Sequence, residues 1–280
     1  MTEREIQFRK KREIAEIFSD SVEFIKQEYK TVFRLISTYV LPFIIVNAFL
    51  QVHVQRNILE KIDIQDTEAL MANFGPVYMH FFLASLFTIF VQSLFVGAYY
   101  TYLEAYIKEG KDNFSLSDIS SQLFSNSLQA IKAGFVLFFL VLAGFFLCVL
   151  PGIYFGNTFS ILVVVYLFEK NNLGQSMQRS FRLVNVQWWN TFLINLTGVT
   201  IIYLSSILLS VPNMLAGEVT ESGSVPGAVA AGYSVSYWVW TGIASVITSL
   251  LWVIPYTFLA FQYFNLDERL KSLFPTQQNR

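Results

Sequence analysis

The 280-residue chain is 54% hydrophobic and only 14% charged, far below the roughly 25% charged residues of a soluble domain. A net charge of −1 leaves no basic surplus to neutralise nucleic-acid phosphates. One cysteine (Cys148) excludes an internal disulfide or a cysteine metal cluster, and two histidines (His53, His80) form no metal-ligating motif.

In residues 2–30, Ile14, Phe18, Val22, Ile25 and Tyr29 recur at steps of three and four, with charges of both signs opposite them. This predicts an amphipathic helix within 1–34, lying on a membrane surface or against a bundle, with Arg9, Lys10, Lys11 and Arg12 near anionic headgroups. A solvated helix with one core stripe is the other reading. About thirty charged and mixed residues precede the first apolar run, so the start does not read as a signal peptide.

Apolar runs then predict spans at 35–54, 77–106, 133–150, 153–168, 191–211 and 237–264, with a polar tail at 265–280. Lipid offers backbone groups no partners, so each run must satisfy its own N–H and C=O groups as a helix. Span 77–106 exceeds the ~20 residues a bilayer needs and should tilt or project. Pro42 and Pro255 are expected to kink spans 35–54 and 237–264. Runs 133–150 and 153–168 are separated by Pro151-Gly152 alone, which marks a hairpin tip.

Between the spans lie a polar stretch at 55–75 with a short helix, a segment at 107–131, and a flexible Pro/Gly/Ala/Ser-rich loop at 212–232. Within 107–131, Ser115-Leu116-Ser117-Asp118 has the pattern of a capping box. Residues 174–189 are amphipathic, with Met177, Phe181, Val184 and Trp188 opposite Gln178, Arg179, Arg182 and Asn185.

Of the 19 basic residues, 17 fall in the N-terminal segment, the 107–132 and 170–190 connections and the tail, against Arg56 and Lys61 on the other side. Because cytoplasmic loops are enriched in Lys and Arg, both termini are expected in the cytoplasm and the span count is even. The reading is an all-α, polytopic integral membrane protein: six transmembrane helices in three hairpins, each preceded by a cytoplasmic amphipathic helix. The first and third units align without gaps, Ser21 to Phe33 against Ser180 to Phe192. Duplication explains the match, and so does the shared need for an interfacial aromatic (Tyr29, Trp188) before a helix enters lipid.

No span carries an ionisable residue near its middle, which argues against proton-coupled transport. Arg34, Lys132, Glu104 and Glu169 sit at span ends, where snorkelling accounts for them. Asn47, Gln51, Gln92, Asn157, Asn195, Thr197 and Thr200 are uncharged polar span residues, read as glue between helices or as a cavity lining. His80 reads as an interfacial histidine. No catalytic, cofactor or metal constellation is visible, so an enzyme is not expected; a lipid-headgroup enzyme would have to draw on Glu104, Glu169, Arg179 and Arg182. Arg179, Arg182, Trp188 and Trp189 form the candidate lipid-headgroup contact, a basic-aromatic ledge. Topology charge beside an aromatic belt is the other reading.

Leu150-Pro151-Gly152-Ile153-Tyr154, Glu169, the run from Ser176 to Leu183, Trp188-Trp189 and the run from Phe261 to Arg269 resemble the bacterial multi-pass domain fused to some glycerophosphoryl diester phosphodiesterases, and its stand-alone relatives. The resemblance covers about 134–269. Nothing in the chain corresponds to the catalytic portion of fused members. The resemblance implies a six-helix domain of the bacterial inner membrane with lipid or envelope partners. The expected function is a non-enzymatic membrane protein that binds lipid or scaffolds other membrane proteins. The alternative is a transporter or lipid-translocating subunit with a crevice between kinked helices.

Overall fold

The computed structural model describes residues 6–61, 67–111, 113–217 and 234–273, and among these the chain is all helix with no strand. In order these are α1 (Ile14–Tyr39), α2 (Leu41–Lys61), α3 (Thr67–Glu109), α4 (Ser120–Leu147), α5 (Val149–Thr158), α6 (Leu162–Glu169), α7 (Leu173–Val186), α8 (Trp188–Gly217), α9 (Val235–Leu251) and α10 (Val253–Leu273). Five stretches are long and apolar enough to cross a membrane: Tyr78–Glu109, Ser120–Leu147, Val149–Glu169, Trp188–Leu215 and Val235–Leu273. Ile14–Tyr39 with Leu41–Asn57 makes a sixth if the pair, bent by 64°, counts as one broken span. The most apolar window, in Ser120–Leu147 (mean hydropathy 2.4), is only 17% buried inside the protein. An apolar surface of that extent is costly in water and costs nothing against acyl chains.

Four helix breaks are single residues (Val40, Cys148, Gln187, Trp252), and all but Gln187 are followed within three positions by a proline, Pro42, Pro151 or Pro255. Proline has no N–H to give, and the first turn of a helix needs none, so each proline starts a new helix. Three expectations are corrected accordingly. Span 35–54 is broken after Tyr39, and Pro255 opens α10 where a mid-span kink was expected. The hairpin turns at Cys148, in extended backbone (φ 180, ψ 164), while Pro151-Gly152 lies inside α5. Gly144 and Gly152 let α4 and α5 touch: a Cβ on Gly144 would lie 2.8 Å from Gly152 Cα.

Segment ends also move. Residues 120–131 are continuous with the span in α4, so no separate amphipathic helix precedes it. Ser115 and Asp118 close a turn two residues ahead of α4, with Ser115 N–H donating to Asp118 Oδ2 at 2.8 Å. Hydrogen bonds from the Ser115 hydroxyl and N–H hold the Asp118 carboxyl below its ordinary pKa. α10 runs on to Leu273, nine residues past the expected end of the last span. Helix occupies 55–61 and 67–75 of the expected polar stretch; residues 62–66, and 218–232 of the expected flexible loop, lie outside the described residues, as does 274–280 of the tail.

The chain divides into two compact units. In the unit of Leu41–Val91 and Ile201–Leu251, α2 packs along α9. There the Thr88 hydroxyl lies 3.1 Å from Asn47 Oδ1 and accepts from Gln51 Nε2 at 2.8 Å. Trp240 Nε1 donates to the Leu209 carbonyl at 2.7 Å.

The other unit comprises Met1–Val40, Gln92–Thr200 and Trp252–Arg280. In it α1 buries Ile17, Asp20, Ser21, Phe24, Glu28, Val32, Leu35 and Ile36, and not the expected stripe, of which Val22 and Tyr29 are exposed. The inward face is possible because its acids are matched: Glu28 Oε2 accepts from the Tyr102 hydroxyl at 2.7 Å, and Asp20 meets Arg12. Arg12 is therefore not at a headgroup surface but fully buried, in a non-helical strap ahead of α1. Its guanidinium donates to Asp20 Oδ2 at 2.9 Å and to the carbonyls of Phe8 (2.8 Å) and Gln7, and lies 4.9 Å from the Phe261 ring centre. The strap's Phe8 stacks on Phe261, centroids 4.9 Å apart, and meets Phe24 and Tyr106 edge-on.

α3 and α4 approach through Gly97, where a Cβ would lie 2.7 Å from Ser127 Cα, so a larger residue meets backbone that cannot swing aside. Gly97→Leu should cost about 2 kcal/mol through overpacking, read as a lower unfolding midpoint in detergent. Gly75→Ala, with nothing within 4 Å of the added carbon, should not lower it, and equal losses would refute the close-approach account.

Candidate functional site

Helical spacing builds the site before any long-range contact is made. On α3, Glu104 and Lys108 are four apart and pair, Nζ to Oε1 at 2.7 Å. On α10, Tyr263, Asp267 and Lys271 share one face at the same step, with Lys271 Nζ 2.7 Å from Asp267 Oδ2. Glu169 ends α6, and Lys170 caps it in the left-handed region (φ 53). Asn172 then caps α7, its side chain accepting from Gln175 N–H at 2.9 Å. A left-handed lysine is strained by of order 1 kcal/mol, and the turn it makes aims its side chain at α3. Lys170 Nζ lies 2.8 Å from Glu104 Oε2, the second oxygen of the carboxylate that Lys108 holds.

Arg179 of α7 ties the remaining acids together. Its Nε donates to Glu169 Oε1 at 3.0 Å and its Nη2 to Asp267 Oδ1 at 2.6 Å. The Tyr263 hydroxyl donates to the same Glu169 oxygen at 3.2 Å. From the strap, Arg9 reaches Asp267 Oδ2 at 3.5 Å, with its guanidinium 5.6 Å from the Phe264 ring centre. Beside these groups lies a cavity of about 240 Å³ lined by Arg9, by Glu104, Ile107 and Lys108, by Phe168 and Glu169, and by Tyr263, Phe264 and Asp267. Its floor is buried acid and its rim is exposed base: the Asp267 side chain is 5% exposed, those of Arg9 and Lys108 59% and 66%.

Of the four residues expected to make a headgroup ledge, two turn inward. Arg179 is spent on Glu169 and Asp267. Trp188 is half-buried, donating Nε1–H to Thr158 Oγ1 at 3.2 Å and stacking on Phe192, centroids 5.6 Å apart. Arg182 and Trp189 are exposed, and Arg182 makes no ion pair among the described residues. α7 is rotated from its expected face: Ser176, Ser180, Leu183 and Val184 are buried while Phe181 is exposed. Ser180 can point inward because its hydroxyl donates to the Thr158 carbonyl at 2.9 Å.

Glu104 and Glu169, expected to snorkel, are instead held by partners within the protein. Glu104, Glu169 and Arg179 share the site; Arg182 does not join them in any contact. Periodicity and composition did not single out Lys108, Lys170, Tyr263 or Asp267 as site residues, because each reads alone as a span-end or tail residue, and Arg9 was expected at anionic headgroups with its basic neighbours, not on Asp267. The four-residue spacings Glu104/Lys108 and Tyr263/Asp267/Lys271 were the available signal. The polar span residues meet in separate places: Asn195 Nδ2 donates to Asn157 Oδ1 (2.8 Å), Asn157 Nδ2 to the Trp188 carbonyl (3.1 Å), and Tyr256 OH to Gln92 Oε1 (2.7 Å). His80 Nδ1 contacts the Pro76 carbonyl one turn away, at 2.6 Å.

Fold and surface define a multi-pass helical membrane protein, with an ion-paired cavity where α3, α6 and α10 meet the N-terminal strap. No family model, curated protein or solved structure matches this chain.

Proposed function

We propose that the protein is a non-enzymatic lipid-binding protein of the bacterial inner membrane, with six spans in three hairpins and both termini in the cytoplasm. The observation that carries the reading is the cavity of about 240 Å³ at the C-terminal ends of α3 and α6, beside spans whose apolar side chains face outward. Charge at the ends of spans is what the headgroup level favours, and the exposed Arg182 and Trp189 are the base and indole that suit that depth. Membership of the multi-pass domain that the Leu150–Tyr154 and Ser176–Leu183 motifs resemble would agree with this reading. Asn47 bonds to Thr88, Gln92 to Tyr256 and Asn157 to Asn195, pairings between helices that weigh against a transport crevice.

Native mass spectrometry of the protein extracted in mild detergent should show retained phospholipid, reduced several-fold by Arg182→Ala with Trp189→Ala. A lipid-free protein carrying a stoichiometric partner chain would replace lipid binding with scaffolding.

A further inference from the structure

We infer that the outward face of α1 from Val22 to Arg34 docks on anionic phospholipid, with Lys26, Lys30 and Arg34 on headgroup phosphates and Val22, Tyr29 and Phe33 among the upper acyl carbons. The inference rests on the lipid-binding reading and adds to it a lipid class and the residues that select it, away from the cavity. It starts from apolar residues of α1 that face outward: Val22, Tyr29 and Phe33 are 41%, 56% and 60% exposed. Lys26, Lys30 and Arg34 are exposed beside them. At about 3.6 residues per turn, Tyr29, Val22 and Phe33 share an arc of about 40°, and the three cations take the next arc of about 80°. The opposite side is the buried one, with Phe24, Glu28, Val32 and Leu35. An apolar edge alongside a basic edge is the form of a helix lying in a bilayer interface.

The cations of this face are not spent on acids. Lys26, Lys30 and Arg34 make no ion pair among the described residues, and Lys30 Nζ lies 5.8 Å from the Tyr29 ring centre. One carboxylate, Glu23, shares the basic arc, where Gln27 Nε2 donates to it at 3.0 Å, so the face keeps an excess of positive charge. Unpaired charges do not sit among acyl chains, and an interfacial Tyr suits the same depth as the cations, so headgroup level satisfies both edges. Only Val40 separates α1 from α2, which exposes Phe43, Ile45, Val46 and Phe49. A basic face whose chain runs straight on into outward apolar side chains fits a bilayer better than a soluble acidic partner. Each basic side chain near an anionic membrane surface strengthens attachment about fivefold.

The test uses the full chain, delipidated in detergent and titrated with dioleoyl phosphatidylglycerol and with dioleoyl phosphatidylcholine, which has the same chains and no net charge. The parent should bind phosphatidylglycerol at least about tenfold more tightly. Lys26→Gln/Lys30→Gln should lose about tenfold for phosphatidylglycerol and nothing for phosphatidylcholine, the second affinity certifying the fold. Lys10→Gln/Lys11→Gln removes the same charge from the strap and should leave both affinities unchanged. Equal losses in the two double variants would mean that net charge alone matters, and would overturn the α1 face. So would parent-like phosphatidylglycerol binding by Lys26→Gln/Lys30→Gln, or a parent that does not distinguish the two lipids, and in each of these cases lipid binding itself stands. Binding of neither lipid by the parent overturns both readings.

Discussion

Arg12→Ala should lower the unfolding free energy by roughly 4 kcal/mol, within the 3–5 kcal/mol expected when one partner of a buried ion pair is removed. The loss has three sources. Asp20 stays buried without its guanidinium, the carbonyls of Phe8 and Gln7 lose a donor, and the Phe261 ring loses the cation over its face. The strap is also tied from outside, Arg12 N–H donating to Asn265 Oδ1 and Arg269 Nη2 to the Arg12 carbonyl, both at 2.8 Å. These backbone bonds survive the substitution but hold a strap that has lost its centre. Limited proteolysis should therefore cut ahead of Ile14 faster in Arg12→Ala, and Arg12→Lys should not restore resistance, since an ammonium cannot reproduce the planar fork. Lys11→Ala, at an exposed position, should stay within about 0.5 kcal/mol of the parent. Equal midpoints for Arg12→Ala and Lys11→Ala would show that the buried cation does not hold the strap.

Asp267→Ala should cost roughly 3 kcal/mol, set at the low end of the buried-pair range because Arg179 keeps Glu169 and is about one-quarter exposed. Arg179, Lys271 and Arg9 then crowd a site with one acid fewer, so the variant should also be sensitive to salt, stabilised as added ions screen the excess positive charge. Lys10→Ala, which breaks the exposed 3.5 Å pair with Glu16, should shift stability by less than about 1 kcal/mol. A loss for Asp267→Ala no larger than that control would mean the ion-paired site does not lock α7 to α10.

Long apolar runs without charge have one solution in lipid, and the structure places helices across every run read as a span. The breaks were half-visible. Pro42, Pro151 and Pro255 marked the right neighbourhoods, but a proline within two or three residues of a break is compatible with a kink, a tip or a first turn. Which one is realised depends on the backbone ahead of it, and here all three open helices. The three repeat units diverge for a similar reason. α1 runs on to Tyr39, the middle unit has no break within α4, and the third breaks at Gln187, although Glu28 and Gln187 align. Glu28 is buried and bonded to Tyr102, and α1 continues as helix through that position.

The site was hidden for a different reason. Glu104 and Lys170 are 66 residues apart, and Arg179 and Asp267 88 apart. Nothing in either local pattern names the partner. The same holds for the inward faces of α1 and α7, where Asp20, Glu28, Ser176 and Ser180 displace apolar residues that periodicity alone would bury. Composition and hydropathy by themselves determined helices, their approximate extents and a membrane as solvent, because backbone hydrogen bonding in lipid is a local requirement. Only the tertiary structure decided which charges are buried, which helix faces turn inward and where a cavity opens. A buried charge is tolerable only beside its partner, and that proximity exists only once the helices have packed.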